Sequence, residues 1–326
     1  MERLEQTLEE LRCRKYKINS LRKLSGGINS AVFKIGCNQG TDYALKIYPK
    51  PTLEDPRNRC RTEANFLHYL NSCAITNTPS LQDSNEKNGW TLLSWIEGKR
   101  LKEMEHSDLK EVTEFVSGIN CDSKKNERMN LSMASDCHES LLAIITSIEK
   151  RIKSFHKISA PSALEATAME WLTDTIEPHF KMISHELINT QADRTHWKDY
   201  ASQKIASPSD VGIHNMLKTN HGLVFLDFEY AGLDDLSKLA ADWTVQPESK
   251  LDEKKEEIFI NYLLQDMPSH IDDSWLGRFN DIKGLAHVKW CLIMLNSFHN
   301  RTLSMKQLSK TKNYYRDNKE KFFRKN

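Results

Sequence analysis

The sequence lacks any apolar run near the roughly 20 residues that a membrane-spanning helix needs, so no membrane insertion is expected. It also lacks a leader pattern: Met1 to Leu11 alternates acidic and apolar residues without the basic-then-apolar build of a signal peptide. Together these absences predict a soluble, cytoplasmic protein. Paired cysteine chemistry is missing too. The 7 cysteines (Cys13, Cys37, Cys60, Cys73, Cys121, Cys137 and Cys291) are odd in number, and none stands at Cys-x-x-Cys spacing. That pattern argues against a disulfide framework or a structural zinc site and predicts free thiols in a reducing compartment. Nor does one charge dominate: 46 basic against 45 acidic side chains leave a net +1, which argues against a broad nucleic-acid footprint. The local exception is the tail from Lys306 to Asn326, where 8 Lys or Arg face only Asp317 and Glu320; it reads as a solvated helical end, with an anionic partner as the alternative.

What is present is a chain of 326 residues, 39% hydrophobic and 28% charged, long enough for two domains or one bilobal unit. The first hundred residues read as strands with one helix. Leu21 to Leu24 leads into the turn-rich Ser25-Gly26-Gly27-Ile28-Asn29-Ser30, then a strand from Ala31 to Ile35. Asn38-Gln39-Gly40 is a hairpin signal, and Tyr43 to Tyr48 a second strand closed by Pro49 and Pro51. Cys60, Ala64 and Leu67 recur at helical spacing in a helix from about Arg57 to Asn71. A looser polar stretch from Thr76 to Asn88 precedes a strand from Trp90 to Ile96. From Leu101 to about Tyr200 the signal is helical, clearest in Leu141, Ile144, Ile145, Ile148 and Ile152. The composition shift near Gly98 predicts an α+β fold, with a small antiparallel-sheet lobe over residues 1–98 and a larger helical lobe over 99–326.

The residues suited to chemistry fall in two loops. Asp210-Val211-Gly212-Ile213-His214-Asn215 sets an Asp and an Asn five apart, and Asp227 follows the apolar run Leu223 to Leu226. Phosphoryl transfer uses these residue types: a carboxylate that orients or deprotonates the attacking hydroxyl, and an amide oxygen and a second carboxylate that hold Mg2+ on the phosphates. Lys46, inside the apolar strand Ala44 to Ile47, must place its ammonium against something polar. A phosphate and Glu63 from the following helix would serve. Gly26 and Gly27 would let backbone N–H groups approach a phosphate, with Asn29 or Ser30 adding a side-chain donor. His214 reads as a loop-packing residue.

In this order the motifs resemble the aminoglycoside phosphotransferase and choline kinase family, with its protein-kinase-like fold. Ser25 to Ser30 resembles the family's glycine loop, Leu92 to Gly98 its hinge, Ser209 to Leu217 its catalytic loop and Phe225 to Gly232 its magnesium segment. The resemblance implies a bilobal small-molecule kinase using ATP and Mg2+. Ser94, Trp95 and Ile96 would hold adenine, Lys46 paired with Glu63 would bind phosphates, and Asn215 and Asp227 would ligate Mg2+. Asp210 would act on a hydroxyl of an amino sugar, sugar or amino alcohol. Asp235 matches a family Asp that is mainly a structural brace. Over a hundred residues separate Gly98 from Asp210, and no long activation segment follows Asp227, unlike protein kinases. Two departures stand out: Pro208 replaces a His that braces the catalytic loop, and Lys238 replaces a further Asp. Pro208 keeps open a nucleotide-binding but inactive regulatory protein. Candidate acceptor-wall residues are Glu229, Asp234, Trp243, Trp290 and Asn296, the two tryptophans reading more readily as core and Asp234 as a solvated charge.

Overall fold

The computed structural model describes residues 2–24, 30–38, 40–190, 195–197, 203–210, 212–268 and 271–322. The chain divides into two compact units, Met1–Asp136 with Ala206–Leu233, and Cys137–Ile205 with Asp234–Asn326. The first opens with α1 (Glu2–Cys13), β1 (Ile18–Lys23), β2 (Ala31–Cys37) and β3 (Asp42–Ile47), then α2 (Arg59–Ser72), β4 (Leu81–Asn85), β5 (Trp90–Ser94) and the short β6 (Lys99–Arg100). Helices α3 (His106–Gly118) and α4 (Lys125–Met129) follow. Strands β1 to β5 form one antiparallel sheet in the order β1-β2-β3-β5-β4.

The period-2 alternation of strands sorts this sheet into two faces. Phe33, Ile35, Cys37, Leu45, Ile47, Trp90 and Leu92 pack with Leu8 and Leu11 of α1. The opposite parity takes Lys46 and its cross-strand neighbours Val32 and Thr91 to the other face. Helix α1 adds to the expected elements; its Leu4, Leu8 and Leu11 carry a helical period, and Leu8 and Leu11 are buried. The polar stretch before Trp90 was expected to be loose, yet contains β4. Its residues are mostly half-buried at a sheet edge, where pairing with β5 rather than an apolar pattern makes the strand.

The second unit holds α5 (Leu141–His156), α6 (Ala163–Trp171) and α7 (Glu177–Asn189), with a π-helical turn joining the last two. Through β7 (Lys204–Ser207) the chain returns to the first unit, which gains β8 (Met216–Thr219) and β9 (Gly222–Phe225). β10 (Gly232–Asp235) leads back to the second unit and its helices α8 (Leu236–Val245), α9 (Glu253–Asp266), α10 (Ser274–Met294) and α11 (Met305–Phe322). Among the described residues no helix is long and apolar enough to cross a membrane.

All ten residues of α8 are buried, so its charges need internal partners. Lys238 lies 3.0 Å from Asp234 and 3.2 Å from Asp242, which also takes Lys289 at 2.6 Å. Asp234 is therefore a buried charge, not the solvated one expected. Asp235 caps α8 through the Ser237 amide and accepts two hydrogen bonds from the fully buried Arg278, at 2.9 and 3.0 Å. Trp243 is core, 4.0 Å between centroids from Phe259, and Asn296 is exposed.

Helix α11 docks on α10 through aromatic rings: His287 is fully buried, stacked on Tyr315 at 5.7 Å and set against Tyr314 at 4.9 Å. Burial, and then the nearby His179, push the His287 pKa down to about 3. The unfolded chain would protonate this imidazole near its usual pKa, whereas the folded protein keeps it neutral. Stability from this group is thus present above the unfolded value and lost as pH falls toward the folded one. Between pH 7 and 5 the wild type should lose about 1–2 kcal/mol more than His287→Phe, measured by urea unfolding at both pH values; equal losses would refute the assignment.

Candidate active site

Of the side chains singled out from the sequence, Lys46, Glu63 and Asp227 meet within the first unit. Lys46, 5% exposed, extends from β3 to Glu63 of α2, Nζ to Oε2 2.5 Å, and to Asp227, Nζ to Oδ1 2.7 Å. Glu229 stands 4.0 Å from the same ammonium. Burial by itself would lower the Lys46 pKa, but Glu63, Asp227 and Glu229 outweigh it and hold the ammonium above its ordinary range.

Glu63, 1% exposed, is fixed from three sides. Beyond Lys46 it accepts a short hydrogen bond from the Tyr48 hydroxyl and, at 3.3 Å, one from the Phe228 amide. Tyr48 lies two residues past Lys46, on the same side of the strand by parity, and also meets the Thr91 hydroxyl at 2.8 Å. Phe228 is 1% exposed, packed on Phe66 of α2 and Phe115 of α3, and Phe115 stacks on Phe225 with centroids 4.1 Å apart. The residue after Asp227 thereby anchors the loop that carries it. Asp227 itself adopts φ +69°, a left-handed conformation that Asp tolerates better than most residues.

The loop that carries Asp210 is shaped by its own polar groups. Ser209 has φ +66°, and its amide donates to the Ser207 hydroxyl at 3.0 Å. The Asp210 carboxylate accepts from the Gly212 amide at 3.2 Å and faces Nε2 of His214, an exposed residue, at 3.2 Å. Asn215 donates its side-chain N–H to the Asp210 carbonyl at 3.1 Å, and its own carbonyl accepts from the Leu226 amide at 2.8 Å. Its amide oxygen is thus the coordinating atom that remains. Helix α3 fixes the intervening β8–β9 hairpin: Asp108 and Glu111 pair with Lys218, and Glu111 also accepts from the Leu223 amide. At the end of this segment Asn120, fully buried, mimics a strand neighbour by exchanging two hydrogen bonds with Ala206, at 2.8 and 2.9 Å.

The expected hinge leaves β5 with its amides partly used. Ser94 N–H donates to the Ser80 carbonyl at 2.9 Å and Trp95 N–H to the Asp42 carbonyl at 3.3 Å, while the Ser94 hydroxyl accepts from the Ser80 amide at 2.9 Å. The Trp95 ring lies under the Lys34 ammonium at 4.4 Å, and its N–H donates to Glu97 at 2.6 Å. Gly98 allows the next residues to pass β8: a Cβ there would lie 2.9 Å from the Cβ of Leu217. Ser30 is buried; Gly26, Gly27 and Asn29 lie outside the described residues.

Three further residues were not foreseen in their roles. Tyr48 was legible from strand parity. Arg59, 5% exposed, approaches Glu229 (Nε to Oε1 3.6 Å) and lies one helical turn before Glu63. Glu229, expected on an acceptor wall, is instead 2% exposed, and burial followed by the charge of Asp227 pushes its pKa up to about 7. For a divalent cation the donors at hand are the Asn215 amide oxygen and the Asp227 carboxylate, whose side chain is 39% exposed. Hard oxygens of this kind suit Mg2+. Among the described residues no group of three or more His, Cys, Asp or Glu is placed to hold a metal alone.

Comparison with known proteins bears out the resemblance read from the motifs. Residues 20–117 match the model of the phosphotransferase enzyme family, APH. No curated protein sequence matches the chain. Among solved structures, the choline kinase from Cryptosporidium parvum Iowa II shares the fold at TM-score 0.59 and 14% identity, covering 97% of both chains. Spectinomycin phosphotransferase APH(9)-Ia, in complex with ADP and spectinomycin, gives 0.61 and 12%, over 94% of this chain and 93% of the other. ADP-bound aminoglycoside phosphotransferase APH(2'')-Ib gives 0.59 and 16%, over 97% and 98%. The fold is therefore the protein-kinase-like α+β fold.

Tyr48→Phe removes the donor to Glu63 and the acceptor of the Thr91 hydroxyl without opening a cavity. It should destabilise the protein by about 1–3 kcal/mol in urea unfolding, the cost of leaving a buried acceptor and a buried donor unpaired; an unchanged midpoint would show that the hydroxyl carries no weight.

Proposed function

We propose that this chain is a small-molecule kinase that transfers the γ-phosphoryl group of ATP to a hydroxyl, giving ADP and a phosphate monoester. The observation that carries the proposal is the convergence of Lys46, Glu63 and Asp227 in one buried ion cluster. It forms in a fold whose solved examples include two proteins bound to ADP. Glu63 fixes the direction of the Lys46 ammonium, which would meet the α- and β-phosphates. Asn215 and Asp227 would hold Mg2+, which neutralises charge on the phosphate oxygens when bound with the nucleotide.

The adenine would be read by backbone. Along an extended chain the N–H and C=O of one residue and the N–H of the residue two further on share a side. Ser94 N–H is spent on Ser80, and the Ser94 hydroxyl takes the Ser80 N–H. The Ser94 carbonyl and the Ile96 amide then form an acceptor–donor pair matching the adenine amino group and its neighbouring ring nitrogen. In the chemical step an acceptor oxygen bonds to the γ-phosphorus as the bond to the β–γ bridging oxygen breaks. The Asp210 carboxylate orients the attacking hydroxyl and accepts its proton. Positioning and charge neutralisation supply most of the acceleration.

The test is ADP release with Mg2+ and ATP across amino sugars, free sugars and amino alcohols. Asp210→Asn should lower kcat on the acceptor that is used by about 10²–10⁴-fold while keeping nucleotide affinity. Asp227→Ala should abolish the magnesium dependence of nucleotide binding. Tight nucleotide binding without turnover of any acceptor would favour the inactive regulatory reading that Pro208 suggests. Absence of Mg2+-ATP binding would overturn both.

A further inference from the structure

Packing does not explain the cation that opens α2. Arg59 is the first residue of that helix and is buried. A positive charge there opposes the helix dipole, burial raises the cost, and no acidic residue in the first turn offsets either. The partners lie outside the helix. Arg59 Nη2 meets the Asp55 carboxylate at 2.6 Å, and its Nε stands 3.5 Å from the Tyr230 hydroxyl and 3.6 Å from Glu229 Oε1. Its guanidinium is 5.5 Å from the Tyr230 ring centroid, and that of Arg57 is 5.4 Å from the same ring. Arg57 also grips Asp55, at 2.6 and 2.9 Å. Tyr230 is thus held by two guanidinium groups that one carboxylate joins. One turn further along α2, Glu63 holds Lys46 and the Phe228 amide. Successive turns of the helix therefore grip the segment 227–230.

We propose that Arg59 is a positioning residue for phosphoryl transfer, holding Glu229 and the segment behind Asp227 in place while Lys46 turns from Asp227 and Glu229 to nucleotide. This inference rests on the phosphotransfer reading above. Lys46 is shared among three carboxylates, and a bound polyphosphate competes for it. Glu63 keeps Tyr48 and the Phe228 amide when that happens. Glu229 has neither; it is 2% exposed, so water does not replace the lost cation. A buried carboxylate stripped of its counter-ion is strongly unfavourable, and Arg59 is the second cation beside it. Lysine would not substitute, because the planar guanidinium addresses Asp55 and Glu229 through different nitrogens while facing a ring.

Arg59→Gln and Arg59→Lys in the full chain, with melting curves to establish folding, separate positioning from mere stability. The readouts are kcat, KM for ATP and the free Mg2+ giving half-maximal rate on the acceptor identified above. If no acceptor is turned over, the Mg2+ dependence of nucleotide binding is read instead. Arg59→Gln should lower kcat about 10–100-fold, leave KM for ATP within about 3-fold and raise the Mg2+ midpoint at least about 5-fold. Arg59→Lys should fold and fall between it and the wild type. Adding Glu229→Gln to Arg59→Gln removes the stranded charge and should return the Mg2+ midpoint toward the wild-type value. If the variants lose thermal stability alone, with an unchanged Mg2+ midpoint and rates that follow the folded fraction, the inference is overturned and the phosphotransfer reading stands. If the wild type binds no Mg2+-ATP, both fall.

Discussion

The first unit depends on one buried ammonium. Lys46 sits in β3, with β2 and β5 on either side, and reaches the face of the sheet opposite the α1 core. A lone lysine there would be prohibitively costly. Its cost is met by carboxylates delivered from a helix and from a loop distant in sequence, Glu63 and Asp227. The ion cluster therefore ties the sheet, α2 and the segment after β9 into one arrangement. Buried ion pairs seldom stabilise more than well-packed apolar groups of the same volume. Stability alone is thus a weak reason for this one; under the proposed function the stronger reason would be an oriented cation for a polyphosphate.

The same cluster is electrically unfinished. Glu63, Asp227 and Glu229 surround Lys46, and Arg59 approaches only the third of these carboxylates. Burial first, and the neighbouring Asp227 next, push the Glu229 pKa up to about 7. Under the proposed function a divalent cation at the partly exposed Asp227 would offset the charge of the carboxylates. Perturbed groups of this kind are common where charge is handled during a reaction.

Much of this was legible in the sequence, because the residues concerned violate local expectations. A lysine in an apolar strand is hard to explain by local structure alone; an Asp–Asn pair in a loop and an Asp directly after an apolar run are ordinary turn and cap residues singly, and become a signal through their order after Lys46. The strand–turn–strand order around Lys46 was likewise plain from alternation and hairpin residues. What the sequence hid depends on tertiary neighbours. Arg59 and Tyr230 look like ordinary surface residues until they are found 171 positions apart with a 3.5 Å contact. Glu229 looks exposed because it is charged, yet Arg59 and Lys46 permit its burial. β4 has no apolar signature, since its strand character comes from β5.

Pro208 was the strongest sequence argument against catalysis, because a histidine side chain would brace the loop there. The hydrogen bonds show which groups hold the loop instead. Pro208 contributes its carbonyl, which accepts from the Asp210 amide at 2.8 Å across the left-handed Ser209. The Ser207 hydroxyl takes the Ser209 amide, and the Asn215 side chain takes the Asp210 carbonyl. The Asn215 carbonyl then receives the Leu226 amide, so the loop is tied to the residue just before Asp227. None of these bonds needs an imidazole at position 208, and proline restricts the backbone at the entry to the turn. The Asp210 carboxylate accepts from the Gly212 amide and faces His214. The substitution that would mark a decayed site falls at a position where the backbone already supplies the bracing.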